Sequence, residues 1–157
     1  MIHCTPKSLF SWGFVLDGDG HRGSLEFGWF CEHGEIVADG VRYDVRKHGL
    51  FSGHWTLERE GAEVASARKS SPFTRTFQVE GPMGPLVLRA ESAFCRRFLV
   101  ERAGREIATL SPDHMFRRRA TLETSTRYRD FPTICFLFWL TVLTWRRAAS
   151  GGGGGGG

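Results

Sequence analysis

Polar and apolar residues alternate with a period of two along most of the chain, the pattern of strands buried on one face only. The alternation runs through residues 11–17, 25–31, 35–38, 41–46, 54–60, 63–69, 74–80, 85–91, 97–102, 106–110 and 116–124. Turn residues stand between these segments: Asp17-Gly18-Asp19-Gly20, Asp39-Gly40, Glu60-Gly61 and Gly81-Pro82-Met83-Gly84. Asp-Gly and similar pairs suit two-residue hairpin turns, because both central residues there take positive φ. Eleven or twelve short strands, each bounded by a turn signal, predict an all-β barrel or sandwich.

An internal similarity favours the barrel. Residues 55–80 align without a gap on residues 98–123, with eight identical pairs. These are Glu58/Glu101, Arg59/Arg102, Gly61/Gly104, Glu63/Glu106, Ala65/Ala108, Phe73/Phe116, Arg75/Arg118 and Glu80/Glu123. Each copy reads as strand, glycine turn, strand, loop, strand. Repeated β units must pair with one another to bury their inner faces, and closing the sheet leaves no edge exposed. The two copies are expected to hold equivalent places in the barrel.

The alternation stops at residues 131–145, FPTICFLFWLTVLTW, a run of fifteen residues without a charge. A helix apolar on every side is buried all round or sits in lipid. A spanning helix takes about 20 apolar residues, and this run is closed by Asp130 on one side and Arg146-Arg147 on the other. The expectation is a central helix near residues 131–147, wrapped by the barrel, with Asp130 at its positive end and the arginines at its negative end. The rival expectation is a C-terminal tail anchor that spans or enters a bilayer, its arginines snorkelling to the surface.

The remaining composition adds setting rather than chemistry. Residues 1–150 suffice for one domain, and residues 151–157 are all glycine, a flexible tail outside the fold. The first residues lack the apolar core of a secretory signal. Cys4, Cys31, Cys95 and Cys135 form no C-x-x-C pair, and Cys95 and Cys135 read as small buried hydrophobes. A cytoplasmic monomer with reduced thiols is expected. The net charge is +4, carried by 18 Arg and 3 Lys against 17 acidic residues. Arginine-rich usage suits ion pairs and anionic partners, and it follows equally from codon bias.

In the order of its parts the chain resembles the Tubby C-terminal-like superfamily, whose members are Tubby-like proteins, phospholipid scramblases and LURP-one-related proteins. The residues that carry the resemblance are the Gly61-x-Glu63-Val64-Ala65 and Gly104-x-Glu106-Ile107-Ala108 hairpins, the Phe-x-Arg strands at Phe73 and Phe116, and the closing Asp130-x-Pro132 helix. The resemblance covers residues 10–149. It implies a closed antiparallel barrel of about twelve strands around one hydrophobic C-terminal α-helix. It also implies a non-enzymatic module associated with anionic phospholipid or a membrane surface, without placing lipid binding on any residue. A scramblase-like calcium site needs clustered acidic oxygens before the helix. The stretch Glu123-Thr124-Ser125-Thr126-Arg127-Tyr128-Arg129-Asp130 interleaves arginines instead.

Other chemistry finds little footing. Asp17-Gly18-Asp19-Gly20 begins like a calcium loop, but Arg22 and Gly28 stand where an EF-hand needs Gly and Glu. Cys31-x-His33 lacks two further zinc ligands at suitable spacing. His48, Ser52 and His54 come without a nucleophile elbow or a paired acid. Gly18-x-Gly20-x-x-Gly23 precedes a strand rather than a helix, which removes its phosphate-binding mechanism. No enzyme, cofactor or metal is therefore expected, and no nucleic acid, since the charge is small and no motif supports it.

The basic clusters are the remaining hint: Arg96 and Arg97, then Arg117, Arg118 and Arg119, with Arg68-Lys69 in the first copy. They read as solvated charge on an outer face balanced by Glu101, Glu106 and Glu123, or as an anion or lipid-headgroup surface. Arg75 and Arg118 share strand parity with Phe73, Phe77 and Val79 and with Phe116, Ala120 and Leu122. That parity places both arginines on the inward face. There each must reach the rim or find acceptors, with Asp130 a candidate partner. Their rival role is to hold an anionic ligand in an open mouth.

Overall fold

Twelve one-faced strands with no second sheet to pack against bury their apolar sides by closing on themselves. The computed structural model describes residues 1–29, 31–114, 117–125 and 130–151. The strands are β1 (Ile2–Pro6), β2 (Phe14–Gly18), β3 (His21–Phe27), β4 (Gly34–Ala38), β5 (Val41–Lys47), β6 (His54–Arg59), β7 (Ala62–Arg68), β8 (Thr76–Glu80), β9 (Leu86–Ala90), β10 (Phe98–Arg102), β11 (Arg105–Pro112) and β12 (Ala120–Thr124). One helix, α1 (Phe131–Gly151), follows. Each strand pairs antiparallel with its sequence neighbours. The pairing of β1 with β12, from Ile2↔Leu122 to Cys4↔Ala120, closes the barrel.

Four of the connections are two-residue turns with φ of +49° to +53° at the first residue and +75° to +82° at the second. They are Asp19-Gly20, Asp39-Gly40, Glu60-Gly61 and Ala103-Gly104, and glycine at the second position meets the left-handed backbone without strain. In an antiparallel meander alternate connections fall at opposite ends. All four tight turns and the Gly84 turn therefore gather at one end of the barrel. The six longer loops, of six or seven residues each, gather at the other.

Strand positions differ from the sequence pattern in three places. β1 was not anticipated: its alternation of buried Ile2 and Cys4 with exposed His3 and Thr5 is only five residues long. β3 starts at His21, not at residue 25, because its first inward position is Gly23, which has no side chain to register as hydrophobic. Residues 28–31 consequently lie in the loop after it. β12 starts at Ala120, so Arg117, Arg118 and Arg119 precede the strand rather than ride on it.

The two aligned segments hold matching places. Trp55 pairs with Ala67 as Phe98 pairs with Leu110, and Ser66 with Glu80 as Thr109 with Glu123. A register shift falls between Leu57 and Glu58 and, at the aligned position, between Val100 and Glu101. Phe77 and Val79 in one copy and Ala120 and Leu122 in the other point into the core. Phe73 does not: it is 94% exposed, because β8 begins only at Thr76 and strand parity does not extend into the loop. Its aligned partner, Phe116, lies outside the described residues.

Helix α1 fills the barrel. From Phe131 to Trp145 every residue but Pro132 is buried, in one cluster with the inward strand residues. The rival expectation of a bilayer anchor thus meets an enclosed helix. Among the described residues, moreover, no helix is long and apolar enough to cross a membrane. Asp130 starts the helix, its carboxylate accepting from the Thr133 N–H at 3.2 Å and from the Thr133 hydroxyl. It is a cap and not the expected partner of Arg75 or Arg118. The C-terminal end runs one turn past Arg147 to Gly151, since Ala148, Ala149 and Ser150 continue the helix.

The helix lies closest to β3 and β4, where Gly34 makes room. A Cβ on Gly34 would come within 2.4 Å of Trp139 Nε1. That indole instead stacks on Phe27 at 4.6 Å and donates to the Glu26 carbonyl at 3.2 Å. Leu140 has no exposed surface at all. Leu140→Ala is expected to cost about 2–5 kcal/mol, and Leu140→Asp to abolish the cooperative unfolding transition, both read by urea denaturation.

Candidate functional site

The loop end of the barrel surrounds the C-terminal turns of α1, and it collects ten of the chain's 21 Lys and Arg residues. The six long loops together with Arg146 and Arg147 carry ten basic and three acidic side chains, a net of +7 against +4 for the whole chain. All six arginines singled out from sequence lie here: Arg75 in the β7–β8 loop, Arg96 and Arg97 in the β9–β10 loop, and Arg117, Arg118 and Arg119 in the β11–β12 loop. These three loops are neighbours around the barrel.

Two of the six act on loop carbonyls. Arg75 Nη1 donates to Ala93 O at 2.9 Å and Cys95 O at 3.0 Å, with its guanidinium 5.4 Å from the Phe98 ring centre. Arg118 Nη1 donates to Ser11 O at 2.5 Å, and its Nη2 donates to Ser8 O at 3.0 Å and to Leu9 O. Each guanidinium thus ties its own loop to the next one. This matches the expectation that the two arginines reach the rim and find exposed carbonyls. Arg97 pairs with Glu91 at 3.1 Å. The Arg96 guanidinium lies 4.8 Å from the Trp145 ring centre, and burial lowers its pKa. Arg117 and Arg119 are exposed. Cys95, expected to be buried, is half-exposed in this loop region; Cys4 and Cys135 are buried.

Lys69, of the basic cluster noted in the first copy, joins them, and two further cations were missed as site residues, Arg146 and Arg147. Arg147 forks onto Glu32, Nε to Oε1 at 2.5 Å and Nη2 to Oε2 at 2.7 Å, and Lys47 also donates to this carboxylate. Burial works to raise the Glu32 pKa, but the hydrogen bonds and charges of Arg147 and Lys47 outweigh it and hold the carboxyl below its usual range. Lys69 is pushed down to about 8, first by burial and then by the charge of Arg147. Arg146 Nη2 donates to Gly28 O at 3.1 Å and Trp29 O at 3.0 Å, while its Nη1 is buried with no hydrogen-bond partner. Beside it opens a cavity of about 290 Å³, lined by Cys31, Glu32, Leu143, Arg146, Arg147 and Ser150. The signal in the sequence was Arg146-Arg147 itself, read as helix-end chemistry because its distance from Glu32 and the loops was not visible.

Elsewhere the chemistry is structural. His48 and His54 stack at 4.7 Å, and His48 Nε2 meets Thr56 Oγ1 at 2.7 Å. The Thr56 hydroxyl donates to Glu58 at 2.7 Å, so its proton is directed to a carboxylate and no nucleophile faces the imidazole. Among the described residues no three His, Cys, Asp or Glu side chains gather as a metal site would need.

Compared with protein-family models, with curated proteins and with solved structures, the chain matches none. Its class rests on architecture: a closed twelve-stranded antiparallel barrel with a C-terminal helix, compatible with a Tubby-like barrel.

Glu32→Gln removes the negative charge that two cations share and one of its two acceptor oxygens, and is expected to cost about 2–4 kcal/mol at neutral pH. The depressed carboxyl contributes stability above the ordinary carboxylate range and loses it as pH falls through its lower folded value. The gap between wild type and Glu32→Gln should therefore shrink in acid, which urea titrations at neutral and acidic pH will read. Arg118→Met should lose about 1–3 kcal/mol through its carbonyl bonds, measured the same way.

Proposed function

We propose that the protein is a non-catalytic binding module that receives a phosphate-bearing anionic group, of the kind a phospholipid headgroup offers, at the loop end of its barrel. One observation carries this reading. The cavity lined by Arg146 and Arg147 lies at the basic end of the molecule, where the six loops and the helix end carry a net charge of +7. Guanidinium groups match phosphate oxygens in geometry and charge, and the surrounding positive charge favours an anion there. Glu32 pairs with Arg147, whereas the hydrogen bonds of Arg146 go to the neutral carbonyls of Gly28 and Trp29 and leave its charge uncompensated by them.

Membership of the Tubby C-terminal-like superfamily is part of the same proposal. It is supported by the strand order, the enclosed helix and the matching registers of residues 55–80 and 98–123. In this reading Arg75 and Arg118 serve structure, fixing the loops that frame the cavity, and the protein works at a membrane from the cytoplasmic side.

The test is calorimetric titration with a soluble headgroup, inositol trisphosphate, at low and high salt. Binding should weaken with ionic strength, and Arg146→Gln should lose at least about tenfold in affinity, or ~1.4 kcal/mol. Absence of binding, or binding unchanged in Arg146→Gln and Arg147→Gln, would overturn the assignment.

A further inference from the structure

The barrel wall and the loop end differ in what they show to solvent. Outward positions of the wall carry charge, for example Arg42 beside Glu35 and Asp44, and Arg89 beside Glu101. The wall therefore belongs in water. Among the described residues the exposed large apolar side chains, Met1 at the chain start apart, lie instead on the long loops: Leu9 and Phe10, Trp29, Leu50 and Phe51, Phe73, and Phe94. Each is 85–100% exposed. Five of the six loops thus end in an aromatic tip, all at one end of the molecule.

The sequence holds the same feature as a period. Phe10, Phe30, Phe51, Phe73, Phe94 and Phe116 follow one another at intervals of 20, 21, 22, 21 and 22 residues, one for each hairpin of the barrel. Phe30 and Phe116 are outside the described residues; in the sequence they fall between β3 and β4 and between β11 and β12. Folding gives no reason for this spacing. A phenylalanine in water gains nothing from the core, and single exposed apolar residues scatter in ordinary proteins rather than recurring in every loop at one end.

We propose that this crown of aromatic tips enters the interfacial layer of an anionic bilayer, with the barrel standing end-on and its axis near the membrane normal. The proposal rests on the headgroup reading above and names its source, a membrane rather than a free phosphate. Charge complementarity favours this occupant. The end that bears the tips is at +7, against −3 for all the rest of the chain, so an anionic surface attracts the barrel by its crown. Geometry favours it too. The tips sit on five separate loops at one end, and fluid lipid closes around each one without needing a matching surface. Aromatic rings with adjacent cations are the side chains that settle at headgroup depth, about 5–10 Å into the boundary.

Flotation on vesicles of phosphatidylcholine, alone or with phosphatidylserine, reads the proposal directly. The wild type should float with the mixed vesicles and much less with phosphatidylcholine alone. Brominated acyl chains should quench its fluorescence more than that of Trp29→Phe. The fourfold variant Phe10→Ser, Phe51→Ser, Phe73→Ser, Phe94→Ser should keep its thermal midpoint and its inositol trisphosphate binding but lose at least tenfold in vesicle partitioning. Equal partitioning of this variant and the wild type overturns the crown while leaving the cavity reading intact. Vesicle binding that survives in a protein blind to inositol trisphosphate sinks the cavity reading and keeps the crown. A wild-type dimer that the four changes dissociate, with no vesicle binding, makes the crown an interface between copies and overturns the proposal.

Discussion

A helix that is apolar around its whole circumference cannot lie on a protein surface, and this constraint shapes the rest of the molecule. Residues 131–145 hold no charge, and the fold gives them an interior on every side. Small barrels fill their interiors with strand side chains alone. Twelve strands make a wider barrel, and here the inward residues, among them Ala38, Ala65, Ala67, Ala108 and Ala120, leave the space that the helix occupies. Aromatic residues on the helix then lock into the wall. Phe138 meets Phe14 edge-on at 5.1 Å, and Trp139 passes over the bare backbone of Gly34. The helix and the barrel are one core, and neither has a reason to form without the other.

Enclosing a helix makes the two ends of the barrel unlike. At the tight-turn end the two-residue turns are short, and Asp130 starts the helix with its own carboxylate. At the other end the loops are longer, and their carbonyls need donors that water alone does not order. Arginines of the loops and of the helix supply them: Arg75, Arg118 and Arg146 each bind two or more carbonyl oxygens of a different segment. Structural need thus draws cations to one end, and Glu32 offsets part of their charge by holding Lys47 and Arg147.

Much of this architecture was legible in the chain. The period of two, the Asp-Gly pairs and the charge-free run at residues 131–145 determined strands, turns and a helix kept from water on every side, because each depends on neighbours within a few positions. The similarity between residues 55–80 and 98–123 also predicted a shared register, down to the bulge after Leu57 and after Val100. The local rules failed where a residue's role departed from its type. Gly23 faces inward with nothing for a hydrophobic pattern to detect, so β3 was placed late. Phe73 looked like core and stands in water.

What only the tertiary structure decided is which distant residues meet and which face solvent. Six arginines spread over residues 75–119 become neighbours because adjacent hairpins place their loops at the same end, and Arg147 finds Glu32 because the helix returns through the barrel to the β3–β4 loop. Alternation along a strand says which residues share a face. It does not say where a strand stops, and beyond that point an aromatic side chain can leave the core altogether. Strand ends depend on pairing partners far away in the chain. The exposure of Phe10, Phe51, Phe73 and Phe94, and with it the character of the loop end, could therefore be read only after the barrel had closed.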